Sequence, residues 1–360
     1  MNKRMKLLFF ALSIVIIVLT AAITRFYSAS EQNNPTGSTQ NVITRKIDHD
    51  DSGNQVFQDS SGLFGIADSS DRVMVSPEWE KLTLIGSGKF IAEKKIGGKN
   101  LTGCINHEGN IIVPFIYRNI QQYSINNFVF YIANVENDEN FIIYDSDFSP
   151  CLRNSWISCE VTDDKLILGT QKGSYTFIVN QNGFALKNAS LCGKASFSDY
   201  KIEITSKLLL SKLTVPMLEK MAEDAESYLE FAFSENENAL NDIHSSDNTV
   251  FYPIFPNESK IVSKRMMKIA DIFLYSVRSE DGIPHYAVSV TTDTIITYHD
   301  DKNNLQTMRD NYKAVIEFKG NSAIDLEAVS GSFNLQVPNY PEPEHPSISE
   351  SDNENNDSTA

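Results

Sequence analysis

The stretch Leu101–Ile120, LTGCINHEGNIIVPFIYRNI, decides how the rest of the chain reads. Gly103-Cys104-Ile105-Asn106 has the content of a strand, His107-Glu108-Gly109-Asn110 that of a turn, and Ile111-Ile112-Val113 that of a second strand. Gly109 supplies the positive φ that a tight hairpin needs, at no steric cost. Pro114 has no N–H to give to a ladder, so it ends the strand or sits at an edge. An aromatic tail, Phe115-Ile116-Tyr117, leads off the hairpin.

The same plan is written upstream. Gly65-Ile66-Ala67-Asp68 is followed by Ser69-Ser70-Asp71, then Val73-Met74-Val75, Pro77 and Trp79. Two weaker copies come later, Phe141–Asp145 and Phe177–Gly183. The acid or amide of each copy, Asp68, Asn106, Asp145 and Asn180, recurs at intervals of 38 (106 − 68), 39 (145 − 106) and 35 (180 − 145). A fixed period between about 20 and 50 residues marks a repeat architecture. The acid or amide is the expected turn-former, bonding backbone two residues on.

Phe64-Gly65, Thr102-Gly103, the Asp or Asn after an apolar pair, Gly109 and Gly183 in the turns, and Pro77 and Pro114 before a trailing aromatic carry a resemblance. Over about residues 62–198 the chain resembles bacterial WG-repeat (KWG) proteins. Neither leading pair has the tryptophan, and copies three and four lack the Gly and Pro at those places. The resemblance implies a β-rich repeat fold and a binding role, and brings no catalytic residues.

The chain has 360 residues, room for two ordinary domains plus appendages. Its net charge of −16 argues against nucleic acid, because phosphate contacts need Lys and Arg clusters. Lys3, Arg4 and Lys6 precede Leu7–Thr24, an uncharged apolar run of 18 residues. That length and charge asymmetry predict a single membrane anchor with a cytoplasmic N-terminus at 1–6 and the bulk of the chain outside. Ser28-Ala29-Ser30 offers the alternative of a cleaved signal and a secreted protein. The polar stretch up to Asn54 (25–54) reads as a flexible linker. Cys104, Cys151, Cys159 and Cys192 allow three disulfide pairings outside the membrane, or act as small buried hydrophobes. Their spacing is wrong for zinc, and no metal or cofactor is implied.

Residues 55–198 read as the β-repeat domain, with strand signals at Leu82–Ile85, Phe90–Ala92, Phe128–Ala133, Phe141–Tyr144, Lys165–Gly169 and Tyr175–Val179. Near Asp199 the pattern changes, and 199–337 reads as a small α+β domain. Thr214 caps a helix with Pro216 in its first turn, and Leu218, Met221, Ala222, Ala225, Leu229, Ala232 and Phe233 recur at helical spacing. Glu219, Lys220, Glu223, Asp224 and Glu226 form its wet face. Ser234-Glu235-Asn236-Glu237 is a capping box for a second, short helix. Strands are expected at Ile269–Arg278, His285–His299 and Leu305–Lys319, with a last one near Ile324–Val329. Helices followed by a long-stranded meander look like the nuclear-transport-factor-like (SnoaL-type) cone, a resemblance of element order alone. The tail 338–360 is acidic, carries prolines and is expected to be disordered. The fold class is thus mostly β: a hairpin-repeat domain followed by helices packed on a curved antiparallel sheet.

Chemistry is sparse. Strand parity places Asp310 beside Met308 and Tyr312 on the apolar face, making Asp310, Tyr312 and Tyr286 the candidate pocket of a cone fold. A buried carboxylate there would serve as a general base, whereas a strand beginning later leaves Asp310 in solvent. His285 and His299 fall on the wet face. Trp79 and Trp156 would act as a sugar or peptide platform, or as core. No Ser, His and acid stand in a triad pattern. The expected function is a membrane-tethered, extracytoplasmic binding or assembly protein without catalysis, whose partner is an envelope protein or cell-wall polymer. The alternative is an enzyme or small-ligand binder with its pocket in the C-terminal part.

Overall fold

The computed structural model describes residues 43–194, 197–205, 213–234, 237–254, 261–277, 282–300 and 302–334. The anchor segment Leu7–Thr24 and the tail 338–360 lie outside them. Among the described residues no helix is long and apolar enough to cross a membrane. Among the described residues the fold is mostly β, with antiparallel sheets and one α-helix late in the chain.

Four strands make the first sheet in simple order: β1 (Arg45–His49), β2 (Gln55–Gln58), β3 (Phe64–Ala67) and β4 (Val73–Trp79). Seven make the second: β5 (Lys81–Leu84), β6 (Lys89–Ile96), β7 (Lys99–Asn106), β8 (Ile111–Ile125), β9 (Phe128–Val135), β10 (Phe141–Asp145) and β11 (Pro150–Trp156). The third begins as a meander, β12 (Ser158–Val161), β13 (Lys165–Thr170), β14 (Gly173–Asn180), β15 (Gly183–Leu191) and β16 (Tyr200–Ile204). It continues through β18 (Ile261–Val277), β19 (His285–His299), β20 (Leu305–Lys319) and β21 (Glu327–Asn334), and ends on β17 (Ser245–Ile254). Between β16 and β17 lie helix α1 (Val215–Ser234) and a 3-10 helix (Glu237–Asp242).

The hairpins repeat in register, not only in sequence. In the first unit Phe64 pairs Trp79, Ile66 pairs Val75 and Ala67 pairs Val73. In the second, Thr102 pairs Tyr117, Cys104 pairs Val113 and Ile105 pairs Ile111, an offset of 38 throughout (102 − 64, 117 − 79). In the third, Phe141 pairs Trp156, Ile143 pairs Cys151 and Tyr144 pairs Pro150, an offset of 39 (141 − 102, 156 − 117) at every position except Cys151. The bulge that carries Pro77 and Pro114 is therefore part of the pairing, which is where proline is tolerated in a sheet. Gly65 and Gly103 lie under that bulge. A Cβ on either would stand 2.7 Å from a carbonyl of the opposite strand, Val75 O or Val113 O.

The units bury their faces on one another. Phe130 and Ile132 of β9 enter a core shared with Trp156, Leu168 and Phe177, whereas Tyr131 and Ala133, one residue out of phase, pack with Cys104, Tyr117 and Tyr144. Period-two alternation here serves two cores, so the second sheet is covered on both sides. Val56, Ile66, Val75, Trp79, Phe90 and Ile105 fill a third core between the first two sheets.

Several expectations are corrected. The linker expected over 25–54 already contains β1 and a turn at Asp50–Asn54. All five β1 side chains are exposed, so no apolar pattern marks the strand. The strand expected at Ile269 starts at Ile261, and the last one lies at Glu327–Asn334, with Ile324 fully exposed in the preceding turn. Ser234 ends α1, with its hydroxyl donating to Glu230 O, and residues 235 and 236 of the expected capping box lie outside the described residues. Across the join expected near Asp199 the ladder is continuous: β15 pairs β16, and β16 pairs β18 in parallel. A parallel pair needs a crossover connection, and α1 lies within it.

Candidate functional site

The repeat-turn residues form one structural device. Asp68 Oδ1 accepts from Ser70 N and Arg72 N, both at 2.9 Å. Asn106 Oδ1 accepts from Glu108 N at 3.0 Å and Asn110 N at 2.9 Å. Asp145 Oδ1 does the same with Asp147 N and Ser149 N, both at 2.9 Å. Asn180 makes only the first of these bonds, to Asn182 N, because Gly183 closes a shorter turn. The third residue after each of the first three has positive φ: Asp71, Gly109 and Phe148. Asp50, Asp59 and Asp300 build the same turn, with Gly53, Gly62 and Asn303 at the positive-φ place. The Asp-x-x-Gly spacing at Asp50 and Asp59 was the available sequence signal for both.

Turns from successive units meet along a rim. Gly53 abuts Ser69, Gly88 abuts His107, and Lys89 Nζ donates to Ser146 O at 3.1 Å and Asp147 Oδ1 at 3.0 Å. Beyond the turns, equivalent residues point outward. Met74 and Ile112 occupy the same place in two units (112 − 74 is again 38) and are 37% and 38% exposed, with Ile111 and Ile116 beside Ile112 at 46% and 48%. The tryptophans do not form a platform. Trp79 is buried against Phe115 at 5.2 Å with Lys94 Nζ 5.0 Å from its ring, and Trp156 is buried between Tyr175 and Phe177.

Asp310, Tyr312 and Tyr286 do not converge. Asp310 is exposed and accepts from Asn311 N at 2.7 Å, while Tyr312 and Tyr286 are buried. Tyr312 pairs Thr292 and Tyr286 pairs Phe318, six residues apart along β19, or roughly 20 Å. The local strand is regular but β20 outruns its cover at this end, so parity alone misplaced the acid. Burial on β19 is also wider than alternation predicts: Ala287, Ser289 and Asp293 are buried, and His285 is half-buried. Asp293 is held by Arg309, which donates through Nε at 2.8 Å and Nη2 at 2.5 Å and keeps the carboxyl below its usual range.

A site absent from the sequence reading lies where α1 meets the fourth hairpin. A cleft of about 190 Å³ is lined by Lys172, Cys192, Lys194, Tyr200, Glu223 and Glu226, among others. Tyr175 Oη donates to Glu219 at 2.5 Å, Lys172 Nζ lies 2.8 Å from Glu223 and 3.2 Å from Glu219, and Lys194 Nζ donates to Ser227 Oγ at 2.9 Å. Glu226 is buried, bonded to Tyr200 and to Lys194 N, and burial pushes its carboxyl upward. Glu219, Glu223 and Glu226 of the expected wet face thus form a polar seam between α1 and the repeats, while Lys220 and Asp224 turn to the other side. The helix does not pack on the C-terminal strands alone, as its apolar stripe suggested.

Among the described residues no group of His, Cys, Asp and Glu is placed to hold a metal ion. All four cysteines are free thiols. No family model matches the chain, and no curated protein matches it. Among solved structures, Hsv2 of Kluyveromyces lactis is similar at a TM-score of 0.22 and 8% identity, over 74% of this chain and 96% of that one. A form of that protein with loop 6CD replaced by a Gly-Ser linker gives 0.23 at 7% identity, over 74% and 83%. PorZ, a bacterial surface component of the type-IX secretion system of Porphyromonas gingivalis, gives 0.19 at 7% identity, over 78% and 45%. Similarity at this level establishes no shared fold.

Proposed function

We propose that this protein is a non-catalytic binding or assembly protein that presents its hairpin units to an extracytoplasmic partner, held at the membrane by Leu7–Thr24. The observation that carries the reading is that Met74 and Ile112, at the same place in two units, both point outward, with Ile111 and Ile116 exposed beside Ile112. A stacked repeat needs its inward residues for its own core, so exposed apolar residues at a repeated position serve contact with something else. The WG-repeat resemblance and the charge pattern of the N-terminus agree with this. The partner is an envelope protein or a cell-wall polymer.

Affinity capture from envelope extracts tests it, comparing the wild type with an Ile112→Lys, Ile116→Lys double variant of unchanged circular dichroism. A partner held by the wild type and lost by the variant supports the row as the contact; equal capture by both overturns it. N-terminal sequencing of the mature chain decides between anchor and cleaved signal. A second reading, a small-ligand site in the cleft at α1, is favoured by the buried Glu226 carboxyl facing Tyr200 and Lys194.

A further inference from the structure

Asp224 is the most deeply buried acid of α1, 1% exposed. It lies two residues from Glu226, which places it on the other side of the helix, away from the cleft. Its Oδ1 is 3.1 Å from His244 Nδ1 and 3.4 Å from His244 N. Its Oδ2 is buried with no hydrogen-bond partner. His244 itself is a junction. Its side chain is 58% exposed on the outer side, its carbonyl accepts from Ala328 N of β21 at 2.7 Å, and the next residue begins β17. β17 covers part of the α1 core, where Phe251 lies 5.7 Å from the ring of Tyr228.

We propose that Asp224 and His244 form a proton-operated latch that fastens α1 to the β17–β21 edge of the long sheet. While Asp224 holds a proton, its buried side chain is a neutral acid, and leaving Oδ2 without a donor costs little. Once that proton is lost, a carboxylate with one buried oxygen that no donor reaches stays in the site, which is costly. Burial raises the Asp224 carboxyl above its usual range, and the His244 contacts only partly offset this. A group whose pKa is raised in the fastened state favours that state at low pH, so the latch weakens as pH rises from about 4 through the raised value.

Other charged groups on the elements packed here have partners of their own or face solvent. Lys220, one turn earlier on α1, donates to Ala323 O and Leu326 O at 3.2 and 2.6 Å. Glu327 on β21 pairs with Lys319 at 3.0 Å. Asp325, in the turn before it, is held at about 2 by the hydroxyl and N–H of Ser322 and the N–H of Asn321. Asp242, on the 3-10 helix, is exposed.

Hydrogen exchange of the amides of 249–254 in the full chain, corrected for intrinsic rates and followed from pH 4 to 8, tests the latch. In the wild type the opening equilibrium grows at least three-fold with pH and then levels off. Asp224→Asn, nearly isosteric, gives a flat profile. His244→Gln removes a contact that lowers the Asp224 carboxyl, so its profile moves to higher pH. A flat wild-type profile, or an unchanged slope in Asp224→Asn, overturns the proposal.

Discussion

Replacing Gly103 by alanine probes whether successive hairpins share one backbone plan. The new Cβ would stand 2.7 Å from Val113 O and 3.0 Å from Cδ1 and Cγ of Phe115. Carbon contacts are comfortable at about 3.5–4.0 Å, so the bulged segment of β8 has to retreat by roughly 0.5–1 Å. Its far side is tied to β9, from Tyr117 opposite Val135 to Ile125 opposite Phe128, so the shift strains a second ladder. Gly103 is not at positive φ, and alanine therefore brings no backbone penalty of its own. Overpacking of this kind costs about 1–3 kcal/mol. Loss of glycine's freedom in the unfolded chain returns about 0.4–1 kcal/mol. The balance is a destabilisation of about 1–2 kcal/mol. Urea unfolding monitored by tryptophan fluorescence reads it as a lower midpoint at unchanged slope. Gly65→Ala repeats the experiment one unit earlier, where the Cβ meets Val75 O and Phe57 Cζ, both at 2.7 Å. If either variant unfolds at the wild-type midpoint or above, the close approach under the bulge is not a shared constraint and the repeat plan is refuted.

Other outcomes follow from the same geometry. Asn106→Ala removes the two turn bonds to Glu108 N and Asn110 N and should cost about 0.5–2 kcal/mol, as for a lost cap, while Asn106→Asp should restore most of it in the same urea assay. Burial pushes the Cys104 and Cys151 thiols up to about 12 and Cys159 to about 11, so iodoacetamide at pH 8 should label only exposed Cys192 in the native protein and all four cysteines in denaturant, as counted by intact mass. The depressed carboxyl of Asp325 contributes stability that is present above pH 4 and lost as pH falls towards 2, so Asp325→Asn should flatten the acid limb of the stability profile in that window. Leu229→Ala should cost about 2–5 kcal/mol and, because Leu229 shares one core with Tyr175, Phe177, Val288 and Ile316, should lower exchange protection in the fourth hairpin as well as in β19 and β20.

The strands were legible wherever alternation met a recognisable turn. His285–His299 and Leu305–Lys319 carry both signals and stand where the pattern places them. β1 was not legible, because an edge strand with every side chain in solvent has no apolar period. Asp310 stood between the apolar face and solvent in the sequence because parity assigns a face but not how far the cover extends along it, and it is exposed. The cleft left a weaker trace. Lys172, Tyr175, Lys194 and Tyr200 precede α1 in sequence and look like ordinary strand and turn residues until the helix carboxylates are set against them.

That last point bears on why α1 has the sequence it has. An amphipathic helix covering a sheet needs one apolar stripe, and Leu218, Met221, Ala225 and Leu229 supply it. A crossover helix between parallel strands also has to reach back over the sheet it leaves. Here that sheet is the end of the hairpin array, whose nearest groups are a lysine, two tyrosines and a second lysine. Leucines at 219, 223 and 226 would leave the Tyr175 and Tyr200 hydroxyls without acceptors. Glutamates satisfy the hydroxyls and pair Lys172, at the cost of desolvating Glu226. The acids that made this face look solvated are therefore what joins the helix to the repeats. Separated from β12–β15, residues 199–337 would expose that seam and leave β16 without its neighbour β15, so the two halves of the chain stabilise each other across a polar contact rather than folding apart.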